Sequence, residues 1–213
     1  MGYWVATGVT LGLLTALMVF EWKDDQRGRW VLKPLTSAGF IASAVMAGAL
    51  DDGYGQAVLA ALVLSWFGDV FLIPKEKPKV FLLGVLAFLL GHVAFSVAFV
   101  IKGVSMAWVL GSVVPLGLVA AVVVRWLWPH VPAQMKGAVL AYVGVISTML
   151  ALAIGAVAAG ANLWIFVGAL MFYLSDLSVA RQSFVTKSFI NRLWGLPFYF
   201  IAQLIFAWTV LQP

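Results

Sequence analysis

Eight long apolar runs follow one another along almost the whole chain, and they restrict it to a fold that crosses a membrane. Each run is close to the roughly 20 residues that a helix needs to span the hydrocarbon core, and charges or Pro and Gly turns separate them. The runs cover residues 3–20, 30–50, 56–73, 80–101, 106–127, 137–158, 162–180 and 193–211. Because lipid offers the backbone no hydrogen bonds, each run is predicted to be helical. We therefore expect one all-α domain, 1–213, forming a polytopic bundle of eight transmembrane helices.

Composition agrees with an integral membrane protein and excludes several other classes. Of the 213 residues, 64% are hydrophobic and only 10% are charged, which is far from the composition of soluble proteins. Eight spans leave about 50 residues for all loops, so no soluble catalytic domain fits. Cysteine is absent, which excludes disulfides and thiolate metal sites. The first run lacks a basic leading segment and a small-residue cleavage site, so we expect it to remain as the first span.

Lysine and arginine concentrate in the loops of one side of the predicted bundle, whereas the opposite side holds only Lys102. The eleven basic residues on the first side are Lys23, Arg27, Arg29, Lys75, Lys77, Lys79, Arg125, Lys136, Arg181, Lys187 and Arg192. Because basic residues favour cytoplasmic loops, this side is predicted to be cytoplasmic and both termini to lie outside. The net charge of +5 then reflects topology and contact with lipid headgroups, and no nucleic-acid partner is expected. We expect a multi-pass protein of a bacterial inner (cytoplasmic) membrane.

A faint internal repeat relates helices that are four spans apart. Gly84, Phe88, Gly91, His92 and Phe95 of the fourth run align with Gly195, Tyr199, Ala202, Gln203 and Phe206 of the eighth. Gly68-Asp69 of the third run likewise aligns with Ser175-Asp176 of the seventh. Helices four apart cross the membrane in the same direction, so the pattern fits a parallel duplication of four helices, a 4+4 arrangement.

Lys33, Asp69 and Asp176 are ionisable residues that lie inside the apolar runs. Such groups cost about 2.5–3.5 kcal/mol each on insertion scales, so they need partners and usually have a function. Asp69 precedes Pro74 by five residues, and Asp176 precedes Arg181 by five. At 1.5 Å per residue, both lie about 7–8 Å in from the cytoplasmic end. The sequence therefore predicts a pair of carboxylates in one layer of the membrane.

Other polar side chains occupy the same half of the bundle and are candidates for binding substrate or supporting the aspartates. They are Ser37, Ser65, His92, Tyr142, Tyr173, Tyr199 and Gln203, of which Gln203 and His92 lie deepest. Ser65 shares a helix face with Asp69, and Tyr173 shares one with Asp176. Serine, tyrosine and glutamine also serve simply to join membrane helices or to line the interface, and a buried histidine is more often a satisfied polar group than a catalyst.

Two carboxylates held close together at low dielectric cannot both ionise cheaply, so they are expected to share a proton. One acid and one base side by side suit acid-assisted hydrolysis, and they equally suit a proton relay in a transporter. A three-histidine zinc site is excluded because the only histidines are His92 and His130. The chain has no Gly-x-Ser-x-Gly elbow and no Gly-rich phosphate loop. No cofactor or metal is expected.

Five short motifs follow in series from the second span to the eighth. They are Lys33-Pro34-Leu35-Thr36-Ser37, Ser65-Trp66-Phe67-Gly68-Asp69, Gly91-His92 with Phe95, Ser175-Asp176, and Tyr199 with Ala202-Gln203. Together they resemble the YhhN, or lysoplasmalogenase-like, membrane proteins. The resemblance implies an intramembrane hydrolase that cleaves the vinyl ether bond of lysoplasmalogens to a fatty aldehyde and glycerophospho-ethanolamine or -choline. It also implies that Asp69 and Asp176 are catalytic, with Lys33, His92, Tyr199 and Gln203 in support.

In this hypothesis a lysophospholipid enters sideways from the membrane lipids, with its tail among apolar side chains. In this hypothesis Lys33 holds the lipid phosphate, whereas pairing with an aspartate and extending to the surface are its alternative roles. The main alternative function is a proton-coupled transporter or lipid flippase that uses the same aspartate pair. A non-catalytic scaffold, in which the aspartates only join helices, is a third alternative.

Overall fold

The computed structural model describes residues 2–74 and 77–211, and all regular secondary structure in these ranges is helical. Within them the chain forms eight α-helices: α1 (Gly2–Trp22), α2 (Gln26–Met46), α3 (Gly53–Phe71), α4 (Pro78–Lys102), α5 (Met106–Leu127), α6 (Lys136–Ala158), α7 (Trp164–Ala180) and α8 (Phe189–Thr209). A 3-10 turn (Ala133–Met135) precedes α6, and a π-helical turn (Arg181–Val185) continues α7. The predicted all-α bundle is confirmed. Lys75, one of the basic residues behind the predicted topology, lies outside the described residues.

Helices α2, α3 and α8 begin three or four residues before the apolar runs that predicted them. In each case a polar side chain caps the helix and so fixes its first residue. Asp25 accepts hydrogen bonds from two backbone N–H groups of α2, Asp52 accepts one from Gly55, and Ser188 accepts one from Ile190. These caps satisfy N–H groups that an α-helix leaves unpaired at its start, so the helices extend beyond their apolar parts.

Among the described helices, seven are long and apolar enough to cross a membrane by length and composition, and α2 is the exception. Helix α2 is as long as α1, but its first two turns contain Arg27, Arg29 and Lys33. It nevertheless lies within the bundle, because it packs against α1, α3 and α8. These charges lie at one end of the bundle, where Arg29 and Lys33 line an internal cavity described below. The protein is thus an integral multi-pass bundle.

The packing of the helices follows the proposed repeat. Helix α2 contacts α1, α3 and α8, and its counterpart α6 contacts α5, α7 and α4. The closest pairs, α3 with α4 and α7 with α8, are also counterparts. Phe95 and Phe206, which the repeat makes equivalent, pack on each other with ring centroids 4.2 Å apart. Equivalent residues meet in this way near the axis that relates two copies, so the contacts are those that a parallel duplication predicts.

The two ends of the bundle differ in their packing. We call the end formed by the α1–α2, α3–α4, α5–α6 and α7–α8 connections the basic end, because it holds ten of those eleven basic residues, all that the structure describes. Beyond the middle of the bundle, Phe95, Phe99 and Phe206 are fully buried and stack on one another. Near the opposite end, Tyr54 and Thr209 form a buried hydrogen bond of 2.7 Å. The cavity therefore occupies only the basic half. The external location of both termini stays a prediction.

Candidate active site

Asp69, near the end of α3, is held by three side chains from two other helices. The Nζ atom of Lys33 lies 3.0 Å from Oδ1, and it also donates to the backbone carbonyl of Asp69 at 3.3 Å. The hydroxyls of Ser37 and Tyr199 each donate to Oδ2 at 2.6 Å. Lys33 and Ser37 are four residues apart on α2, so they share one face of that helix. An ammonium and two hydroxyls thus enclose the Asp69 carboxyl, of which 2% is exposed, and such donors stabilise a carboxylate.

Asp176 on α7 has a different set of partners. The Tyr142 hydroxyl donates to Oδ2 at 2.7 Å, and Nε2 of His92 lies 2.9 Å from the same oxygen. Nε2 is also 3.0 Å from the Tyr142 oxygen, so the three polar groups form a closed triangle. Among the described residues, Oδ1 of Asp176 has no hydrogen-bond partner, and 14% of the side chain is exposed. Asp176 therefore presents one free oxygen.

Counting residues from the helix ends places His92 deeper than Asp176, yet the two side chains meet. The π-helical turn explains part of the difference, because it extends the helical segment of α7 by five residues beyond Ala180. Asp176 consequently lies farther from the end of that segment than its distance from Arg181 indicates. Nδ1 of His92 is buried and has no hydrogen-bond partner among the described residues. The imidazole thus makes its polar contacts through Nε2.

Asp69 and Asp176 line one cavity of about 410 Å³ in the basic half of the bundle. Phe88, Tyr199 and Gly195 are also part of its wall. Its lining reaches exposed residues at the basic end, among them Lys187 and His130, so the cavity opens there. The two carboxylates therefore face a common chamber, as the sequence-based hypothesis requires.

The structure differs from the expectation that the two carboxylates share a proton directly. Among the hydrogen bonds of the described residues, none joins Asp69 to Asp176. Aromatic rings lie between their partner groups: Phe172 packs on His92 at 4.4 Å and on Tyr199 at 5.5 Å between ring centroids. Each carboxylate instead accepts hydrogen bonds from its own neighbours. The site is therefore two different polar clusters on one chamber, rather than one carboxylate dyad.

A second, apolar cavity of about 90 Å³ adjoins Asp176. It lies between α4, α5, α6 and α7, and its lining includes Val85, Val139 and Ile146. Phe88 and Phe184 contribute to the walls of both cavities, as does Asp176 itself. The carboxyl of Asp176 thus stands where an apolar recess meets a polar chamber.

Three of the predicted supporting residues do not reach the carboxylates. Ser65 contacts Gln203, whose Nε2 lies 3.5 Å from its hydroxyl, and neither group bonds to Asp69. Tyr173 lines the apolar cavity, and within the described residues it makes no hydrogen bond to either aspartate. Sharing a helix face with an aspartate was therefore not sufficient to predict a hydrogen bond to it, because these side chains point toward other neighbours. The other predicted residues, Lys33, Ser37, His92, Tyr142 and Tyr199, all bind a carboxylate.

Sequence analysis missed a charged cluster at the mouth of the cavity, where Glu21, Arg29 and Arg192 all line the wall. Arg29 and Arg192 were treated only as loop charges that report topology. Glu21 and Arg29 are each 7% exposed, and Nε of Arg29 lies 3.1 Å from Oε2 of Glu21. A signal was present, because Arg29 is four residues before Lys33 and so shares its helix face.

Comparisons with known proteins agree with these motifs. The sequence model of the YhhN family matches residues 28–210, a range that contains every residue of both aspartate clusters. The chain is 30% identical to lysoplasmalogenase TMEM86B of Sus scrofa over 203 residues, which cover 92% of the chain and 83% of that protein. It is 29% identical to lysoplasmalogenase TMEM86A of Bos taurus over 161 residues, covering 73% of the chain and 65% of that protein. No solved structure gives a significant match. The chain belongs to the YhhN family.

Proposed function

We propose that this protein is an intramembrane ether hydrolase that cleaves the vinyl ether bond of lysoplasmalogens. The products would be a fatty aldehyde and glycerophospho-ethanolamine or -choline. Two relatives at about 30% identity are named lysoplasmalogenases, which supports the substrate class. The observation that carries the proposal is that Asp69 and Asp176 face one chamber with unlike partners, because an acid and a fixed anion are the two groups that this reaction needs.

Vinyl ether hydrolysis begins with a proton transfer to carbon. The proton adds to the alkenyl carbon one bond removed from the ether-bearing carbon, and a cation shared between carbon and oxygen results. Water then adds to the ether-bearing carbon and releases a proton, giving a hemiacetal. The hemiacetal collapses to aldehyde and alcohol. One water is consumed and the donated proton is returned, so an acid that can be reprotonated in place is sufficient.

Asp176 is our candidate for that acid. Its Oδ1 has no hydrogen-bond partner among the described residues and faces the chamber, so a proton there can reach a substrate. Once the proton has left, the remaining carboxylate is stabilised at Oδ2 by Tyr142 and His92. The same carboxylate then carries the negative charge beside the cation, where low dielectric strengthens their attraction. It can take back a proton from the attacking water.

Asp69 acts differently in this scheme, because Lys33 balances its charge. Its Oδ2 accepts a hydrogen bond from the Tyr199 hydroxyl. The lone pairs of the Tyr199 oxygen are therefore available to the chamber. A water bound there can donate to Tyr199 and turn its own lone pair toward the cation. Asp69 is thus a positioning residue, whereas Asp176 touches the substrate.

The apolar recess beside Asp176 suits the chain that leaves the double bond. In the bound substrate the alkenyl carbons would lie against Val85, Val139 and Ile146, while the polar end would point to the basic end of the chamber. This places the vinyl ether at the junction of the two cavities, which is where Asp176 stands.

A transporter or flippase with the same aspartates needs access from both ends of the bundle. Here the half beyond the aspartates is filled by Phe95, Phe99 and Phe206, which are fully buried. Access to the carboxylates is from the basic end. This asymmetry favours hydrolysis over transport.

A panel of lysolipids tests the proposed function. Purified protein in detergent is incubated with lysolipids that differ only at the sn-1 linkage: vinyl ether, alkyl ether and ester. We expect free aldehyde from the vinyl ether alone, identified by mass spectrometry, because only that linkage can be protonated at carbon. Cleavage of the ester form with no aldehyde from the vinyl ether would assign a different hydrolase.

Replacing Tyr142 with phenylalanine tests the triangle around Asp176. Tyr142→Phe removes one donor to the carboxylate that forms when the proton leaves. We expect kcat for aldehyde release to fall about ten- to a hundredfold, the effect of one hydrogen bond to a charged group. Tyr54→Phe is the matched control, since that hydroxyl bonds to Thr209 at the opposite end of the bundle and Tyr54 lines neither cavity. Equal rates for the two variants would remove Tyr142 from the mechanism.

A further inference from the structure

Charged residues of both signs meet at the mouth of the chamber. Oε2 of Glu21 forms ion pairs with Nε of Arg29 and with Nη1 of Arg192. Both arginines also pair with Asp24, which is mostly exposed. Glu21 lies in the last turn of α1, Arg29 in the first turn of α2, and Arg192 in the first turn of α8. Three helices thus hold this cluster over the entrance to the chamber.

Both the acidic and the basic members of the cluster have polar atoms that make no contact within it. The two arginines use only Oε2 of Glu21, so Oε1 has no partner among the described residues. Within the described ranges Arg192 bonds only through Nη1, so its Nε and Nη2 groups have no partner there. Lys187 also lines the cavity, is exposed, and has no ion pair within the described part of the chain. An anion and a cation can therefore bind side by side.

We propose that this mouth is a binding site for a zwitterionic phosphate headgroup, in which Arg192 and Lys187 hold the phosphate and Glu21 holds the ammonium. The inference rests on the proposed function, because it assigns the polar end of the substrate at the same chamber. It also replaces the phosphate-binding role that the sequence offered Lys33, which is engaged by Asp69.

Mixed charge is the feature that selects a zwitterion. A purely basic mouth would bind a phosphate monoester best, but the buried carboxylate of Glu21 repels a second negative charge and attracts an ammonium. Arginine suits a phosphodiester because its planar group donates two parallel hydrogen bonds. A neutral glycerolipid offers neither a phosphate to the basic groups nor an ammonium to Glu21.

The spacing along α2 agrees with a lysolipid bound from mouth to aspartates. Arg29 and Lys33 are one helical turn apart, so the mouth lies about 6 Å from the Lys33 layer along the helix. The three carbons of glycerol separate the phosphate of a lysolipid from its sn-1 ether oxygen. A phosphate at the mouth therefore directs the ether bond toward the aspartates.

Binding of lipids that cannot be cleaved tests this site. The probes are 1-alkyl-ether lysolipids with a phosphoethanolamine group, with a bare phosphate, or with no headgroup beyond glycerol, added to purified protein in detergent. For Arg192→Gln we expect Kd to rise about tenfold for both phosphate-bearing probes, the size of one lost charge-assisted contact, and to stay unchanged for the alkylglycerol. For Glu21→Gln we expect weaker binding of the phosphoethanolamine probe and tighter binding of the bare phosphate.

Lys187→Gln tests the same site if the variants at buried residues do not fold, because an exposed lysine is not needed for folding. It should weaken the phosphate-bearing probes about two- to fivefold, as expected for an exposed ion pair. Lys79→Gln, an exposed lysine at the same end that does not line the chamber, should change nothing. Equal effects of a mouth variant on all three probes, or equal wild-type affinity for all three, would overturn the site. Failure of the proposed function is seen separately, as absence of aldehyde from the wild-type protein with a vinyl ether.

Discussion

Replacing Asp176 with asparagine is expected to lower aldehyde release from a lysoplasmalogen by about 10²–10⁴-fold, the usual contribution of a general acid. Asparagine keeps the size of the side chain and can still accept the hydrogen bond from Tyr142. It cannot donate a proton to carbon, and it carries no negative charge when the cation forms. The loss should therefore appear in kcat, measured as aldehyde released by purified protein at saturating substrate.

Asp51→Asn is the matched control for this variant. Asp51 is an exposed aspartate beyond the end of α2, at the end of the bundle opposite the chamber, so its replacement should leave the rate unchanged. Thermal unfolding in detergent should show that Asp176→Asn remains folded. If Asp176→Asn releases aldehyde at a rate near that of the wild type, Asp176 is not the acid, and the proposed mechanism is wrong.

The fold was largely predictable because a membrane leaves the chain few choices. Apolar runs of suitable length specify helices, and the helical rise placed Asp69 and Asp176 in the same half of the bundle. Helix starts were less predictable, because a cap such as Asp25 lies outside the apolar run that marks the helix. Helix α2 was correctly predicted as a helix of the bundle although its charges lower its hydropathy. Its length and its short connections to α1 and α3 supported that prediction.

Partners within the site were not predictable from the sequence. Most helices here are apolar on every side, so periodicity does not reveal how each is rotated about its axis. Lys33 could equally have faced lipid, and Ser65 shares a face with Asp69 without touching it. Only the packing of α2 and α8 on α3 and of α6 on α7, with His92 of α4 reaching across to α7, decides which side chains reach each carboxylate.

The repeat explains why one chamber has two unlike clusters. Asp69 and Asp176 are equivalent in the repeat, but the eighth helix reaches Asp69 with Tyr199, where the fourth helix has Phe88. The fourth helix instead reaches Asp176 with His92, one turn farther along, where the eighth has Gln203. These two differences, together with the Lys33 that pairs with Asp69, give one half an ion-paired carboxylate and the other half a carboxyl with a free oxygen. A parallel duplication, which stays a prediction, would supply matched carboxylates whose partners then diverged.

Breaking the ion pair between Lys33 and Asp69 is expected to have the second large effect, a loss in the free energy of unfolding. Lys33→Met keeps most of the volume of the side chain but leaves the carboxylate of Asp69 buried without its cation. Removing one partner of a buried pair typically costs about 3–5 kcal/mol, because the remaining charge is uncompensated. We expect a loss of that size in the free energy of unfolding, with activity also reduced because the carboxylate that positions Tyr199 has lost the ammonium that holds it in place.

The double variant Lys33→Met, Asp69→Asn separates charge from packing. It removes both charges together, so it should recover most of the stability that Lys33→Met loses while remaining nearly inactive. Lys79→Met, at an exposed lysine of the same end, should leave both stability and activity unchanged. The measurement is reversible unfolding of all four variants, including Asp69→Asn, in the same detergent, with aldehyde release measured in parallel. Lys33→Met as stable as the wild type would mean that the pair does not hold Asp69 as an anion, and recovery of activity in the double variant would mean that Asp69 does not need its charge to position Tyr199.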